Sequence, residues 1–299
     1  MDLGPLRNLW PGGRHRDPSP GLLAALADLD RLIVDRPALA TPGRSLSGLL
    51  RAAFHPPVPP PPTWSSPQVI HEAWGAGVPA FRAAPPPIER EALRSRGLAL
   101  GTALRADNPR SSALHAAIRR REIDLRAWWD EVLAGRPESI DRQAEALSID
   151  PALALSVLRL ALLPDLAASS GILAPLLHEG AWGSGDCPHC GSPPVLAESR
   201  GLEGRRILRC GLCAAGWPGD RLRCTSCGET DHRALRSTYV EGEGDRFRLA
   251  CCDRCGLALK VVSTLAPLSP PGLLVTELAT VHLDMIAHEG EARDESPGG

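Results

Sequence analysis

The sequence predicts an α+β protein. An all-α N-terminal domain precedes two tandem four-cysteine modules of the rubredoxin-like or zinc-ribbon type, and a C-terminal helix follows them. Three observations support this class. Residues 67–178 carry helical hydrophobic patterns punctuated by proline, with no strand-like run. At Ala181-Trp182-Gly183 the composition changes abruptly to cysteine, glycine and short β-type runs. Eight of the nine cysteines then form four CxxC pairs, after 186 residues that contain none.

Residues 1–62 predict two helices and a proline-rich connector. The first 18 residues or so are polar and rich in Pro and Gly, and we expect them to be loose. Leucines at helical spacing predict a helix over Gly21–Val34, and Pro37 ends it. A second helix is predicted over Ser45–Phe54. The run Pro56–Pro62 must then be extended, because proline lacks the amide donor and the room that a helix interior requires.

Residues 63–182 predict a separate helical domain. Its helices are expected over five segments: Ile88–Leu104, Ser111–Arg121, Leu125–Leu133, Ile140–Leu147 and Ala152–Leu163. Ser139 and Asp150 are suitable N-caps for the last two. The apolar stretch from Pro151 to Leu177 contains an arginine, an aspartate and an internal proline, so it predicts a buried helix and no membrane span. The N-terminus has no signal-peptide pattern, which indicates a cytoplasmic protein.

The rest of the chain predicts two ribbons, 183–222 and 223–264, and a C-terminal segment, 265–299. Strands are expected over Val195–Glu198, Arg206–Leu208, Ala234–Val240, Arg246–Leu249 and Leu259–Thr264. The last segment predicts one helix over Leu273–Ala287 and a mobile tail.

The spacing of the cysteines predicts two metal sites. Two residues between two thiolates allow one tight turn to direct both sulfurs at one ion. Segments long enough for a hairpin separate the first pair from the second, with a turn predicted at Arg200–Gly204, and the third from the fourth, with a turn predicted at Glu241–Asp245. Only ten residues separate the second pair from the third. Each hairpin therefore brings together the two CxxC pairs at its ends, the first with the second and the third with the fourth. The predicted ligands are Cys187, Cys190, Cys210 and Cys213 at one ion, and Cys224, Cys227, Cys252 and Cys255 at the other. Tetrahedral all-sulfur ligation suits iron or zinc alike.

Residues beside the cysteines refine this prediction. Gly191, Gly228 and Gly256 follow the second cysteine of three pairs, where positive φ is expected, and Ala214 takes that place in the other. Cys251 is surplus, because pairing it with Cys255 breaks the two-residue spacing, and its role is open. Two histidines near the ligands, His189 and His232, are predicted to lie on the surface, since each site already has four sulfurs.

Nothing in the sequence predicts catalysis. The chain has one lysine, Lys260, which lies outside any phosphate-binding loop, and it contains no GxSxG, HExxH or GxGxxG motif. Four cysteines around one ion also leave no position for water or substrate. The sites are therefore expected to be structural or redox-active, and the protein is expected not to be an enzyme.

The cysteine-rich part resembles the formate dehydrogenase accessory proteins, the FdhE family. The resemblance rests on four ordered motifs over about 80 residues: Cys187-Pro-His-Cys190-Gly-Ser-Pro-Pro194, Leu208-Arg-Cys-Gly-Leu-Cys213, Arg223-Cys-Thr-Ser-Cys-Gly228 and Cys252-Asp-Arg-Cys-Gly256. It implies two rubredoxin-type modules on a helical domain and an association with iron. It also implies a cytoplasmic assembly factor that acts on the catalytic subunit of respiratory formate dehydrogenase.

Two other functions are compatible with the cysteines. One is electron transfer through rubredoxin-like iron. The other is nucleic-acid binding by tandem ribbons, which the charge disfavours. Residues 187–260 hold 12 Arg or Lys against 9 Asp or Glu, and each divalent ion with four thiolates adds −2, so the net charge is about −1. The sequence leaves the oligomeric state and the client-binding surface open.

Overall fold

The computed structural model describes residues 19–54, 66–105, 111–178, 182–239, 243 and 246–294. Four sequence-based predictions lie wholly or mainly outside these residues. They are the loose segment 1–18, the extended run Pro56–Pro62, the turn over Glu241–Asp245 and the mobile tail. The described residues confirm the α+β class, with a helical N-terminal part, a sheet that carries the cysteines, and C-terminal helices.

The helical part follows the predicted order with shifted ends. Its helices are α1 (Pro20–Asp35), α2 (Ala40–Phe54), α3 (Pro67–Gly75), α4 (Ala80–Ala83), α5 (Arg90–Arg105), α6 (Ser111–Arg119), α7 (Leu125–Leu133), α8 (Glu138–Ala146) and α9 (Pro151–Leu173). Asp150 caps α9 as predicted, because its carboxylate accepts from the amides of Ala152 and Leu153 at 2.9 and 3.2 Å. Ser139 is not an N-cap. Helix α8 begins at Glu138, and the Ser139 hydroxyl donates to Glu131 at 3.0 Å.

Helix α9 is the central helix of this part, and it is longer than the sequence predicts. It continues for ten residues beyond Leu163 and contains Pro164, whose missing amide donor usually ends or kinks a helix. Apolar side chains on several of its faces are buried, Val157, Leu162 and Leu163 among them, which favours continuation. Among the described residues, 151–176 form the one helical stretch long and apolar enough to cross a membrane. Half of the apolar 18-residue window within that stretch is buried in the protein, as in a core helix.

The two ribbons form one six-stranded sheet within the described residues. The strands are β1 (Pro194–Arg200), β2 (Arg205–Cys210), β3 (Gly216–Pro218), β4 (Leu235–Tyr239), β5 (Phe247–Cys252) and β6 (Ala258–Thr264), in the order β3-β2-β1-β6-β5-β4. Strands β1 and β6 pair in parallel, from Ala197 opposite Val261 to Arg200 opposite Thr264, and the other pairs are antiparallel. The sequence does not predict β3, which has only three residues and is fixed by burial of Trp217.

A buried carboxylate holds the join between the ribbons. Glu198 on β1 has no exposed surface, and it accepts from the guanidinium of Arg209 on β2, from Arg200 at 3.2 Å and from the Thr264 hydroxyl at 2.9 Å. The amide of Leu268, beyond β6, also lies 3.3 Å from this carboxylate. Arg209 donates in addition to the carbonyl of Leu268 at 2.9 Å. The network therefore ties both ribbons and the chain leading to the C-terminal helices to one point.

The C-terminal segment consists of two helices, α10 (Pro270–Ala279) and α11 (Val281–Asp294), where the sequence predicts one. Helix α10 buries Leu273, Leu274 and Val275, and it packs on α1 and α9. The buried apolar residues of all parts form one contiguous cluster that runs from α1 through the sheet to α11. The division of the chain at residues 62, 182, 222 and 264 stays a proposal.

Candidate metal centres

The structure brings the eight predicted cysteines together in two groups of four. Cys187, Cys190, Cys210 and Cys213 form the first cluster, and Cys224, Cys227, Cys252 and Cys255 form the second. Within each cluster all sulfurs lie within 4.8 Å of one another. Each cluster joins the two CxxC pairs of one hairpin, which is the pairing that the segment lengths predict.

The distances fit tetrahedral ligation of an ion by sulfur. A metal–sulfur bond of about 2.3 Å places the sulfurs of a tetrahedral site about 3.8 Å apart. Two Sγ–Sγ distances in the first cluster are 3.6 Å, for Cys187 and Cys213, and 3.4 Å, for Cys190 and Cys210. In the second cluster two such distances are 3.6 and 3.7 Å, for the pairs Cys224–Cys255 and Cys227–Cys252. Both clusters therefore have the size of a four-thiolate metal site.

The four CxxC turns share one backbone geometry. In each turn the residue after the second cysteine donates its amide to the carbonyl of the first, at 2.9 to 3.1 Å: Gly191, Ala214, Gly228 and Gly256. The three glycines have φ of 81°, 75° and 73°, as predicted, and Ala214 adopts 55°. The amide of the first cysteine in each turn also donates to the carbonyl of the residue five positions later, at 2.8 to 3.0 Å. The same two backbone hydrogen bonds therefore shape all four turns.

The electrostatics of the first cluster favour a bound cation. Burial raises the pKa of the Cys187 and Cys213 thiols well above their ordinary value. Hydrogen bonds from the other three thiols hold the pKa of Cys190 well below it. Because four thiolates in a buried space repel one another and lose their hydration, an ion of opposite charge is needed to hold them deprotonated.

The prediction that His189 lies on the surface is wrong. Its ring is 1% exposed and lies between Trp74, with centroids 6.2 Å apart and planes 20° apart, and Phe81, with centroids 6.0 Å apart. Burial lowers the pKa of His189 to about 4, so the ring is neutral at physiological pH. His232 is exposed, as predicted, and Cys251 lies on β5 and joins neither cluster.

The first CxxC turn is docked on the helical part by its backbone. The indole nitrogen of Trp74 on α3 donates to the carbonyl of Pro188 at 2.8 Å, and the amide of Ala80 donates to the same carbonyl at 2.9 Å. The amide of Phe81 donates to the carbonyl of His189 at 2.7 Å. The sequence does not identify Trp74 and Phe81 as parts of the site, because they precede Cys187 by more than 100 residues. Nothing in the sequence around these two aromatic residues indicates that they contact the first CxxC turn.

The second CxxC turn is held by helix α9. Arg159 donates to the carbonyl of Gly211, between Cys210 and Cys213, at 2.7 Å, and its other nitrogen pairs with Glu277 on α10 at 2.8 Å. A Cβ on Gly211 would meet Val195 at 2.4 Å and the Arg159 guanidinium at 2.9 Å, so the residue between these cysteines must be small. The first cluster is therefore held between the sheet and three helices of the helical part, α3, α4 and α9.

We expect two metal ions per chain in protein purified without chelators. The reason is that each cluster presents four sulfurs at metal-binding distances from one another. Elemental analysis of iron and zinc, combined with the protein concentration, gives the number of metal ions per chain. A ratio near one would leave one cluster without a metal role, and a ratio near zero would contradict both.

Several curated proteins similar to this chain are FdhE proteins or their homologues. No family model matches the chain. A protein FdhE homologue from Aquifex aeolicus is 32% identical over 118 residues, which cover 38% of this chain and 40% of that protein. A homologue from Stutzerimonas stutzeri is 36% identical over 104 residues, 33% of each chain. Protein FdhE from Escherichia coli O127:H6 is 33% identical over 78 residues, 25% of each. The matched segments thus span less than half the length of these relatives.

The fold resembles that of a solved structure over nearly the whole chain. The crystal structure of the FdhE protein from Pseudomonas aeruginosa superposes with a TM-score of 0.59, covers 92% of this chain and 94% of that one, and shares 24% sequence identity. The helical part, the sheet and the C-terminal helices thus recur together in that protein.

Proposed function

We propose that the chain is a member of the FdhE family, whose proteins it resembles in sequence and fold, and that it is a non-catalytic, metal-containing assembly factor for respiratory formate dehydrogenase. It would act in the cytoplasm and bind the catalytic subunit of that enzyme. The observation that carries the proposal is the pair of four-cysteine clusters within a fold and a sequence pattern typical of the family. Iron or zinc would fill both clusters.

The chemistry of the clusters supports a non-catalytic role. Four thiolates complete the coordination of a tetrahedral ion, so neither site would offer an open position for water or a substrate. A protein with this donor set can stabilise its own fold, exchange an ion or carry an electron. A protein that binds a client requires none of these three activities, and each of them is compatible with client binding.

We propose the tip of the β1–β2 hairpin as the surface that contacts the client. Leu202 at this tip is fully exposed, at 101%, and Leu265 after β6 is 87% exposed. Both lie at the same end of the sheet, because the amide of Gly201 donates to the carbonyl of Thr264 at 2.8 Å. Two leucines exposed at one end of the sheet would offer a partner an apolar contact. Arg205 adds an exposed positive charge beside Leu202.

We expect loss of this protein to abolish formate dehydrogenase activity while the transcript of the enzyme persists. The reason is that an assembly factor acts on the finished polypeptide and not on its gene. Activity staining and transcript measurement in a deletion strain, with the gene restored on a plasmid as control, test this. Normal activity in a deletion strain that has no related factor would contradict the assembly role.

A further inference from the structure

The two clusters differ in their access to solvent. All four cysteines of the first cluster are buried, with exposures of 0 to 8%. In the second cluster Cys224 and Cys252 are buried, but Cys227 and Cys255 are exposed. The residues between the cysteines follow the same division. Three of the four in the first cluster are buried and the other is half-buried, whereas in the second Ser226, Asp253 and Arg254 are exposed and Thr225 is half-buried.

Different surroundings cause this difference. The first cluster is covered by Trp74, Phe81 and His189 on one side and by Arg159 on the other, all fixed by the hydrogen bonds and ring contacts to the helical part. The second cluster has no helix of the described residues hydrogen-bonded to its CxxC turns. Its two turns are joined at the surface by an ion pair between Arg254 and Glu229, at 3.4 Å.

A cavity of about 350 Å³ opens directly beside the second cluster. Its lining includes Trp182, Gly185, Cys224, Cys227 and Gly228. Gly185 lies so close to the turn that a Cβ there would be 1.7 Å from the carbonyl oxygen of Thr225, so the chain entering the ribbons forms one wall of the cavity. An outside donor can therefore approach the sulfur of Cys227 both from bulk solvent and from this cavity.

Access decides the rate at which a thiolate site exchanges its ion. An entering donor must reach the ion before a cysteine leaves it, and the displaced thiolate takes up a proton as an entering thiol gives one up. The charge and oxidation state of the ion do not change in this step. At the first cluster the cysteines are buried and their turns are hydrogen-bonded to the helical part, which prevents such an approach. At the second cluster the exposed cysteines allow it.

We propose that the second cluster is the site at which this protein exchanges its metal ion with outside thiolate ligands, while the first cluster holds its ion as part of the core. The inference rests on the metal-binding part of the proposed function and not on the identity of the client. Cys227 and Cys255 are the cysteines that an entering ligand displaces.

Metal release from the purified chain tests this division. Protein loaded with two zinc ions is mixed with an excess of the chelator 4-(2-pyridylazo)resorcinol, and samples are quenched with N-ethylmaleimide for peptide mapping. We expect one ion to leave at least tenfold faster than the other, with alkylation of Cys227 and Cys255 during the fast phase. Release of both ions at one rate, or earlier alkylation of Cys187 and Cys213, would overturn the proposal.

Two variants assign the phases. Cys227→Ser should remove the fast phase and leave the slow one, whereas Ser226→Ala, in the same turn but without a sulfur, should keep both. A Cys227→Ser protein that keeps the fast phase and loses the slow one would refute the assignment. If Cys227→Ser does not fold, the peptide map of the unmodified chain still decides. A deletion strain with normal formate dehydrogenase activity would leave this measurement unaffected, so the two proposals fail separately.

Discussion

Cys210→Ser is expected to unfold the whole protein, including the helices that contain no cysteine. Cys210 is fully buried, and the first cluster lies within the same apolar core as α1, α9 and α10. A structural four-sulfur site contributes binding free energy on the order of 10 kcal/mol to folding. Typical domains are stable by only about 5–15 kcal/mol, so loss of this ion should exceed or nearly cancel the stability of the chain.

Circular dichroism at 222 nm and thermal unfolding measure this effect. The matched control is Cys255→Ser, which makes the same chemical change in the exposed cluster. We expect the control to lose its ion but to keep most of its helical signal, because no described helix is hydrogen-bonded to the turns of that cluster. Equal helical content and equal melting temperatures for both variants would show that the first cluster contributes no more to folding than the second.

Glu198→Leu is expected to destabilise the protein by about 3–5 kcal/mol, the range for removing one partner of a buried ion pair. The substitution leaves the guanidinium of Arg209, which is 4% exposed, without its carboxylate. It also removes the acceptor for the Thr264 hydroxyl and for the Leu268 amide. Both ribbons and the start of the C-terminal segment lose their common contact.

Urea unfolding of matched variants tests this prediction. Arg209→Met should be destabilising as well, and the double variant Glu198→Leu/Arg209→Met should cost less than the sum of the two, since neither charge is then left unpaired. Asp253→Asn, which breaks the exposed pair with Arg236, is the control and should change the midpoint little. A Glu198→Leu protein with an unchanged midpoint would mean that the network contributes nothing to the join.

The sequence predicts the local parts of this structure well. The lengths between the CxxC pairs are sufficient to assign each cysteine to its cluster, because a hairpin of that length returns the chain to its starting point. The positive φ of Gly191, Gly228 and Gly256 follows from the geometry of the turn, which is also local. The cap at Asp150 depends on residues two and three positions away.

The parts that the sequence does not predict depend on contacts between distant residues. The parallel pairing of β1 with β6 joins Ala197 to Val261, and no turn or spacing signals a strand partner that far along the chain. His189 is buried only because Trp74 and Phe81 pack on it. Helix α9 continues past Pro164 because burial of its apolar faces outweighs the missing hydrogen bond. In each case tertiary packing overrides a local preference.

Affinity capture from cells respiring formate tests the assembly-factor account most directly. The tagged chain is purified under native conditions from a strain without the chromosomal copy, and the bound proteins are identified by mass spectrometry. A Leu202→Ser/Arg205→Glu variant, altered only at the exposed hairpin tip, serves as the comparison at equal metal content. The account predicts that the catalytic subunit of formate dehydrogenase is enriched with the unmodified chain and reduced with the variant. Capture without that subunit, from cells that contain the enzyme, would contradict the account.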